Sequence, residues 1–256
     1  MAKIIAIANQ KGGVGKTTTT INLAASLHAS EHKVLLIDLD PQGSATVGCG
    51  VDKHNLVWSI NDVLLHDCTV EQACLTVANG FDLIPANGDL TVAEVALMSK
   101  VNREGFLAQA LRSVSEQYDY IVIDCPPALN TLTLNALMAA DSVLIPMQCE
   151  YLAMEGLVAL LGTIEQVRNA LNPRLKLEGI LRTMYDARSR LCTEVSRQLL
   201  AHFDDKVYQT VIPRNVRLAE APSHGLTALQ YAKNSVGAAA YMVLAVEMIK
   251  RQEVLV

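Results

Sequence analysis

Short, unbroken aliphatic runs recur along the chain, most of them followed by a segment with helical spacing. Ile4-Ile5-Ala6-Ile7-Ala8 comes first, Val34-Leu35-Leu36-Ile37 second, and Phe81-Asp82-Leu83-Ile84-Pro85 is a weaker third. Tyr120-Ile121-Val122-Ile123, Ser142-Val143-Leu144-Ile145-Pro146, Leu177-Glu178-Gly179-Ile180-Leu181 and Val207-Tyr208-Gln209-Thr210-Val211-Ile212 complete the set. Aliphatic runs without polar alternation suit strands covered on both faces. Helical patterns occupy 17–30, 103–117, 131–140, 153–171, 191–203 and 234–251. This alternation predicts an α/β fold, a doubly wound and mostly parallel sheet with helices on both faces. No repeat, low-complexity tract or linker divides the chain, so residues 1–256 are expected to form one domain. The stretch 43–75, with Gly43, Gly48 and Gly50, is the least regular and reads as a mobile flap.

Composition narrows the function classes. In 256 residues, 51% are hydrophobic, 18% charged and only 4% aromatic, which leaves Ala, Val, Ile and Leu to fill a sheet between helical layers. The net charge of −5 excludes a bulk attraction to nucleic acid or anionic lipid, so such a partner needs a local basic patch. No run approaches the ~18 apolar residues of a membrane span, and the start MAKIIAIANQ is not a signal peptide. Cysteines at 49, 68, 74, 125, 149 and 192 show no C-x-x-C spacing and are expected to be reduced thiols of a cytosolic protein. Cys125, beside a candidate acidic site, stays open.

The candidate chemistry begins after the first strand. Gly12-Gly13-Val14-Gly15-Lys16-Thr17 leaves that strand and opens the first helix. Glycines let successive backbone N–H groups turn inward around phosphate oxygens, and the helix N-terminus adds its dipole. Lys16 is then placed to reach β- and γ-phosphates, and the Thr17 hydroxyl to ligate Mg²⁺. The common pattern G-x-x-x-x-G-K-[ST] is not met, because its first glycine falls on Gln10. Lys11 and paired glycines stand instead. Asp38, Asp40 and Asp124 follow strands at the sheet edge where such folds bind ligands.

Lys11-Gly12-Gly13-Val14-Gly15-Lys16-Thr17 resembles the deviant Walker A loop of the ParA/MinD group of ATPases. Leu36-Ile37-Asp38-Leu39-Asp40-Pro41-Gln42-Gly43 looks like that group's second acidic motif, and Ile121-Val122-Ile123-Asp124-Cys125-Pro126-Pro127 like its Walker B. Gln148-Cys149-Glu150-Tyr151 and the run from Ile212-Pro213-Arg214-Asn215 through Ser223-His224-Gly225 are similar to chromosomal ParA (Soj) partitioning proteins of bacteria. The likeness extends from the start to about residue 225.

The resemblance implies an Mg²⁺-dependent ATP hydrolase that forms an ATP-sandwiched homodimer. It implies nucleotide binding by Lys11, Gly12, Gly13, Val14, Gly15, Lys16, Thr17 and Thr18, with Pro213 and Asn215 on the adenine side. Lys11 would cross to the partner's ATP, offsetting repulsion between facing triphosphates, and Gly12 would lie where the two loops approach. Lys16 and Asp40 join Lys11 as catalytic residues, Asp40 orienting or deprotonating the attacking water. Thr17, Asp38 and Asp124 would act on Mg²⁺, the two aspartates mostly through its water shell. Arg188 and Arg217 match positions used for non-specific DNA contact, and Arg190 is a further candidate from charge alone. No helix-turn-helix or zinc-finger pattern is visible, so sequence reading is not expected. A ParB-like centromere-binding protein is the implied partner, and the implied location is cytoplasmic and nucleoid-associated, without membrane attachment.

Two other readings share parts of this pattern. A MinD-like membrane regulator needs a basic amphipathic C-terminal helix. Met248-Ile249-Lys250-Arg251-Gln252-Glu253-Val254-Leu255-Val256 offers one basic pair, an acid and no aromatic residue. A metallocluster protein of the superfamily would draw on Cys125 and Cys149. One departure stands out: Gly225-Leu226-Thr227-Ala228-Leu229-Gln230-Tyr231-Ala232 lacks the lysine, proline and aspartate usual in chromosomal ParA proteins, which puts local DNA or partner contacts in question.

Overall fold

The computed structural model describes residues 1–151 and 153–253. In chain order the elements are β1 (Lys3–Ile7), α1 (Lys16–Ala29), β2 (Val34–Asp38), α2 (Ser44–Gly48), α3 (Ile60–Leu65), α4 (Val70–Ala73), β3 (Leu75–Thr76), β4 (Asp82–Ile84), α5 (Leu90–Met98), α6 (Phe106–Ala110), β5 (Tyr120–Asp124), α7 (Thr131–Ala139), β6 (Ser142–Gln148), α8 (Ala153–Ala170), β7 (Lys176–Tyr185), α9 (Arg190–Phe203), β8 (Val207–Pro213), α10 (Val216–Glu220), α11 (Ala228–Tyr231) and α12 (Val236–Glu253). The strands form one sheet in the order β3-β4-β2-β5-β1-β6-β7-β8. Every pairing is parallel except that of β3 with β4.

The uninterrupted aliphatic runs divide between two cores. Ala6, Leu35, Ile37, Ile121, Ile123, Val143 and Ile145 face one, and Ile5, Ile7, Val34, Leu36, Val122 and Leu144 face the other. Successive residues of a strand point to opposite faces. A strand covered on both sides therefore carries no polar alternation. Parallel pairing also brings the carboxyl ends of β1, β2, β5 and β6 to one edge of the sheet, with β1 at its centre.

Two expectations need revision. Residues 103–117 are not one helix: Asn102 adopts a left-handed φ of 56°, and 3-10 turns at Arg103–Gly105 and Leu111–Ser113 flank α6. The spacing was helical because Leu107, Leu111 and Val114 all face the core. The break is held from α7, where Asn135 donates to the Arg103 carbonyl at 2.8 Å and accepts the Leu107 N–H at 3.1 Å. The stretch 43–75 is built from α2, α3 and α4, which bury Ile60, Val63, Leu64, Val70 and Ala73. Each of these helices is too short to show a 3.6-residue period. Their signals are caps, with Ser59 paired to Asp62 and Thr69 to Gln72.

α12 turns Tyr241, Leu244, Ala245 and Met248 into the second core. Arg251 near its end donates to the Asp205 and Val207 carbonyls at 2.9 Å and pairs with Glu247 at 2.7 Å. The apolar face and one of the two basic residues invoked for a membrane helix are thus engaged within the fold. Residues 254–256 of that tail lie outside the described residues, and no described helix is long and apolar enough to cross a membrane. In the departing stretch, Thr227 caps α11 with Gln230, and the Ala228 N–H donates to the Asn22 side chain at 2.8 Å.

Candidate functional site

The loop after β1 is pinned at both ends. Asn9 donates to the Pro146 carbonyl at 2.7 Å and accepts the Lys11 N–H at 3.0 Å. Gly15, at φ 85°, turns the chain into α1 in a conformation that glycine adopts without a Cβ penalty. The first turn of α1 holds no acidic residue, so its unpaired N–H groups and dipole are available to an anion. Lys16 is 7% exposed, and its ammonium donates to the Lys11 carbonyl at 3.3 Å across the loop. Burial lowers its pKa, while Asp124 and, less strongly, Cys125 and Asp40 act to raise it.

Asp38 and Asp124 are register partners across β2 and β5, and both are fully buried. Asp38 accepts the Thr46 N–H at 2.8 Å and hydroxyl at 2.7 Å with one oxygen, and the Asp40 N–H at 3.2 Å with the other. Thr46 reaches this position because Gly43 starts α2 at φ 63°, where a Cβ would stand 2.7 Å from the Ala86 carbonyl. One Asp124 oxygen accepts the Thr20 hydroxyl at 3.0 Å, and the Thr17 hydroxyl lies close enough to favour the charged carboxylate. Its second oxygen, Oδ2, is buried without a partner. An orphan carboxylate oxygen beside a threonine hydroxyl fits a divalent cation that retains water ligands. Asp40 is partly exposed at the rim and accepts the Gln42 N–H at 2.9 Å.

Burial is the first cause raising the pKa of both Asp38 and Asp124, and neighbouring carboxylate charge adds to it. A raised folded pKa stabilises the fold below the unfolded carboxylate value near 4, and that contribution is lost as pH rises through the folded values. In metal-free protein, melting temperature is therefore expected to fall between about pH 5 and about pH 8. Asp124→Asn should flatten the fall; calorimetry giving equal slopes for the two proteins would refute the assignment.

Lys11 stands apart from this cluster. It forms an ion pair with Glu150 of its own chain, and both side chains are about half exposed, 48% and 49%. Exposed pairs of this kind contribute ~0–1 kcal/mol, so another anion can displace this one. A Cβ built on Gly12 meets nothing within 4 Å. Val14 is buried, Gly13 is exposed, and Thr18 is half-buried with its carbonyl accepting Asn22 at 2.8 Å. Pro213 ends β8. Asn215 caps α10 by accepting the Arg217 N–H at 3.0 Å, so its amide oxygen is engaged while its amide nitrogen takes no part in the cap.

Among the arginines, Arg188 is 91% exposed and paired with Asp186. That contact and the Arg188 N–H hold the Asp186 pKa down to about 2. Arg217 pairs with Glu220 at 2.8 Å, and Arg190 is exposed at the start of α9. Arg182, which belongs to the same arginine-rich stretch of sequence, is 5% exposed and bonds the Ser196 hydroxyl and the Tyr208 and Gln209 carbonyls. Cys125 is buried, and desolvation with the adjacent Asp124 pushes its thiol pKa above the ordinary range. Sequence reasoning did not single out Thr20, Thr46 or Glu150 as supports of the site, because each meets its partner only in the folded chain.

A family model described as an AAA domain matches residues 2–177. Sporulation initiation inhibitor protein Soj of Bacillus subtilis is 51% identical over 249 residues, spanning 97% of this chain and 98% of its own. Chromosome partitioning protein ParA of Myxococcus xanthus is 49% identical over 252 residues, spanning 98% of this chain and 89% of its own. Among solved structures, cobyrinic acid a,c-diamide synthase from Mycobacterium smegmatis with bound ADP and magnesium aligns with a TM-score of 0.87 at 38% identity, covering 99% of this chain and 96% of that one.

Proposed function

The chain belongs to the ParA/Soj family of chromosome-partitioning ATPases, and on that premise we propose that residues 1–256 act as one nucleotide-binding domain whose ATP-loaded dimer holds DNA. The M. smegmatis synthase is 38% identical to this chain, below the 49% and 51% of the partition proteins. The observation that best supports dimerisation is the contrast between two lysines of one loop. Lys16 is buried in the cradle, while Lys11 projects at the rim in a weak exposed pair.

In this reading the N–H groups of residues 12–18 and the Lys16 ammonium bind the triphosphate. Thr17, Asp38 and Asp124 would hold Mg²⁺, the orphan Asp124 oxygen being one group available to it. The ion supplies positive charge to phosphate oxygens as the γ-phosphoryl departs. Asp40 orients the attacking water and takes its proton. Lys11 leaves Glu150 and reaches the nucleotide of the second protomer. Pro213 and Asn215 flank the adenine.

Arg188, Arg190 and Arg217 contact DNA phosphates. Asp186 and Glu220 must yield to phosphate for this, which exposed pairs do readily. With ~2–3 contacts per protomer, dimerisation doubles a salt slope of about −0.9 per phosphate. ATP thereby becomes a switch of DNA affinity, placing the protein on the nucleoid in the cytoplasm, and a ParB-like partner resets it by stimulating hydrolysis.

The test is light scattering with a DNA-shift assay. Wild type with Mg-ATP is expected to double in mass and to bind DNA more tightly than with ADP. Gly12→Val adds atoms where this chain offers only open space, so it should fold and bind ATP yet stay monomeric. Wild type that remains monomeric with ATP sinks the reading.

A further inference from the structure

We propose that Thr183 is a positioning residue for the nucleotide loop, and that residues 183–186 tie this loop to the arginine-bearing turns beside it. Thr183 is 2% exposed near the end of β7, opposite Gln148 of β6. Its hydroxyl donates to the Val14 carbonyl at 2.7 Å, a contact between residues 169 apart in sequence. The C=O and N–H of a trans peptide point in opposite directions. Holding the Val14 carbonyl toward β7 therefore turns the Gly15 N–H away from β7 and fixes the plane of the peptide that enters α1. A Cβ built on Gly15 would lie 4.0 Å from Thr183 Cβ and Cγ2, so the loop passes close to the same side chain.

The next three residues carry the other half of the inference. Met184 takes a left-handed φ of 49°, uncommon outside glycine, and its sulfur accepts Gln148 Nε2 at 2.6 Å. The Tyr185 carbonyl accepts the Arg214 N–H at 3.4 Å, which anchors the turn leading to Asn215 and Arg217. Asp186 accepts the Arg188 backbone N–H and both ends of its guanidinium at 3.0 Å. The hydroxyl that orients the nucleotide loop is thus three residues from the carboxylate that orients Arg188. The kink between them leaves little slack. Any shift of the Val14–Gly15 peptide on nucleotide binding is delivered to both turns. This part rests on the dimer and DNA reading above; the loop-positioning part rests only on nucleotide binding.

The test uses Thr183→Val, which keeps the side-chain shape and removes the donor, and Thr183→Ser, which keeps the donor. Without its donor the Val14 carbonyl no longer fixes the Gly15 N–H, so Thr183→Val should weaken Mg-ATP binding by about tenfold, on the order of one hydrogen bond to the nucleotide. Because the contact orients ground state and transition state alike, KM should rise while kcat at saturation stays within about twofold. At saturating nucleotide, the gain in DNA affinity of ATP over ADP should shrink for Thr183→Val, and Thr183→Ser should restore both properties. Wild-type ATP affinity in Thr183→Val, or equal damage in both variants, overturns the positioning role. Weakened ATP binding with an undiminished DNA gain overturns the tie to the arginine turns. Should wild type itself show no gain, the DNA reading fails, and the nucleotide measurement still decides the role of Thr183.

Discussion

Asp40→Ala is expected to lower ATP turnover by about a hundredfold or more, the usual range for removing a general base, while nucleotide binding is kept. The reason lies in the division of labour among three carboxylates at one sheet edge. Asp38 spends its oxygens on Thr46 and the Asp40 N–H inside the fold. Asp124 is buried against Thr17 and Thr20. Of the three, Asp40 alone is partly exposed; one of its carboxylate oxygens accepts the Gln42 N–H at 2.9 Å, and the other remains for water. Removing it takes away no core contact and no cradle donor. The variant should therefore fold, bind Mg-ATP and accumulate as a loaded dimer on DNA. Single-turnover hydrolysis and light scattering check this together; turnover at the wild-type rate would remove Asp40 from the reaction.

Lys16→Ala should weaken ATP binding by roughly a thousandfold, because losing one partner of a desolvated charge pair costs about 2–5 kcal/mol. The ammonium is 7% exposed and sits where it feels the charge of Asp124 and Asp40. Without it a triphosphate would enter a site whose nearest full charges are carboxylates, and repulsion would add to the lost contact. Lys11 cannot substitute, since it lies at the rim with Glu150. Equilibrium binding of a fluorescent ATP analogue measures the loss. Affinity within about tenfold of wild type would place the phosphates elsewhere.

The site was legible where its parts are neighbours in sequence. Gly12 through Thr17 are contiguous, a loop running into the first turn of α1, and their chemistry follows from residue types at fixed spacing. Asp38, Asp40 and Asp124 were legible as residues ending apolar runs, because parallel pairing sends such ends to one edge. Long helices and buried strands were equally visible, since period and aliphatic content are local properties.

What chain order alone could not decide is who meets whom across the fold. The face-to-face register of Asp38 with Asp124 depends on β2 and β5 being adjacent. Thr20 meets Asp124 over 104 residues, Lys11 meets Glu150 over 139, and Thr183 meets Val14 over 169. The break in 103–117 likewise comes from Asn135 on another helix. Burial then sets the charge behaviour: Asp38 and Asp124 have raised pKa values because the sheet removes water from them. Local pattern specifies elements and the glycine-rich loop that we propose grips phosphate. Contacts between distant segments, and the desolvation they bring, exist only once the sheet has closed around them.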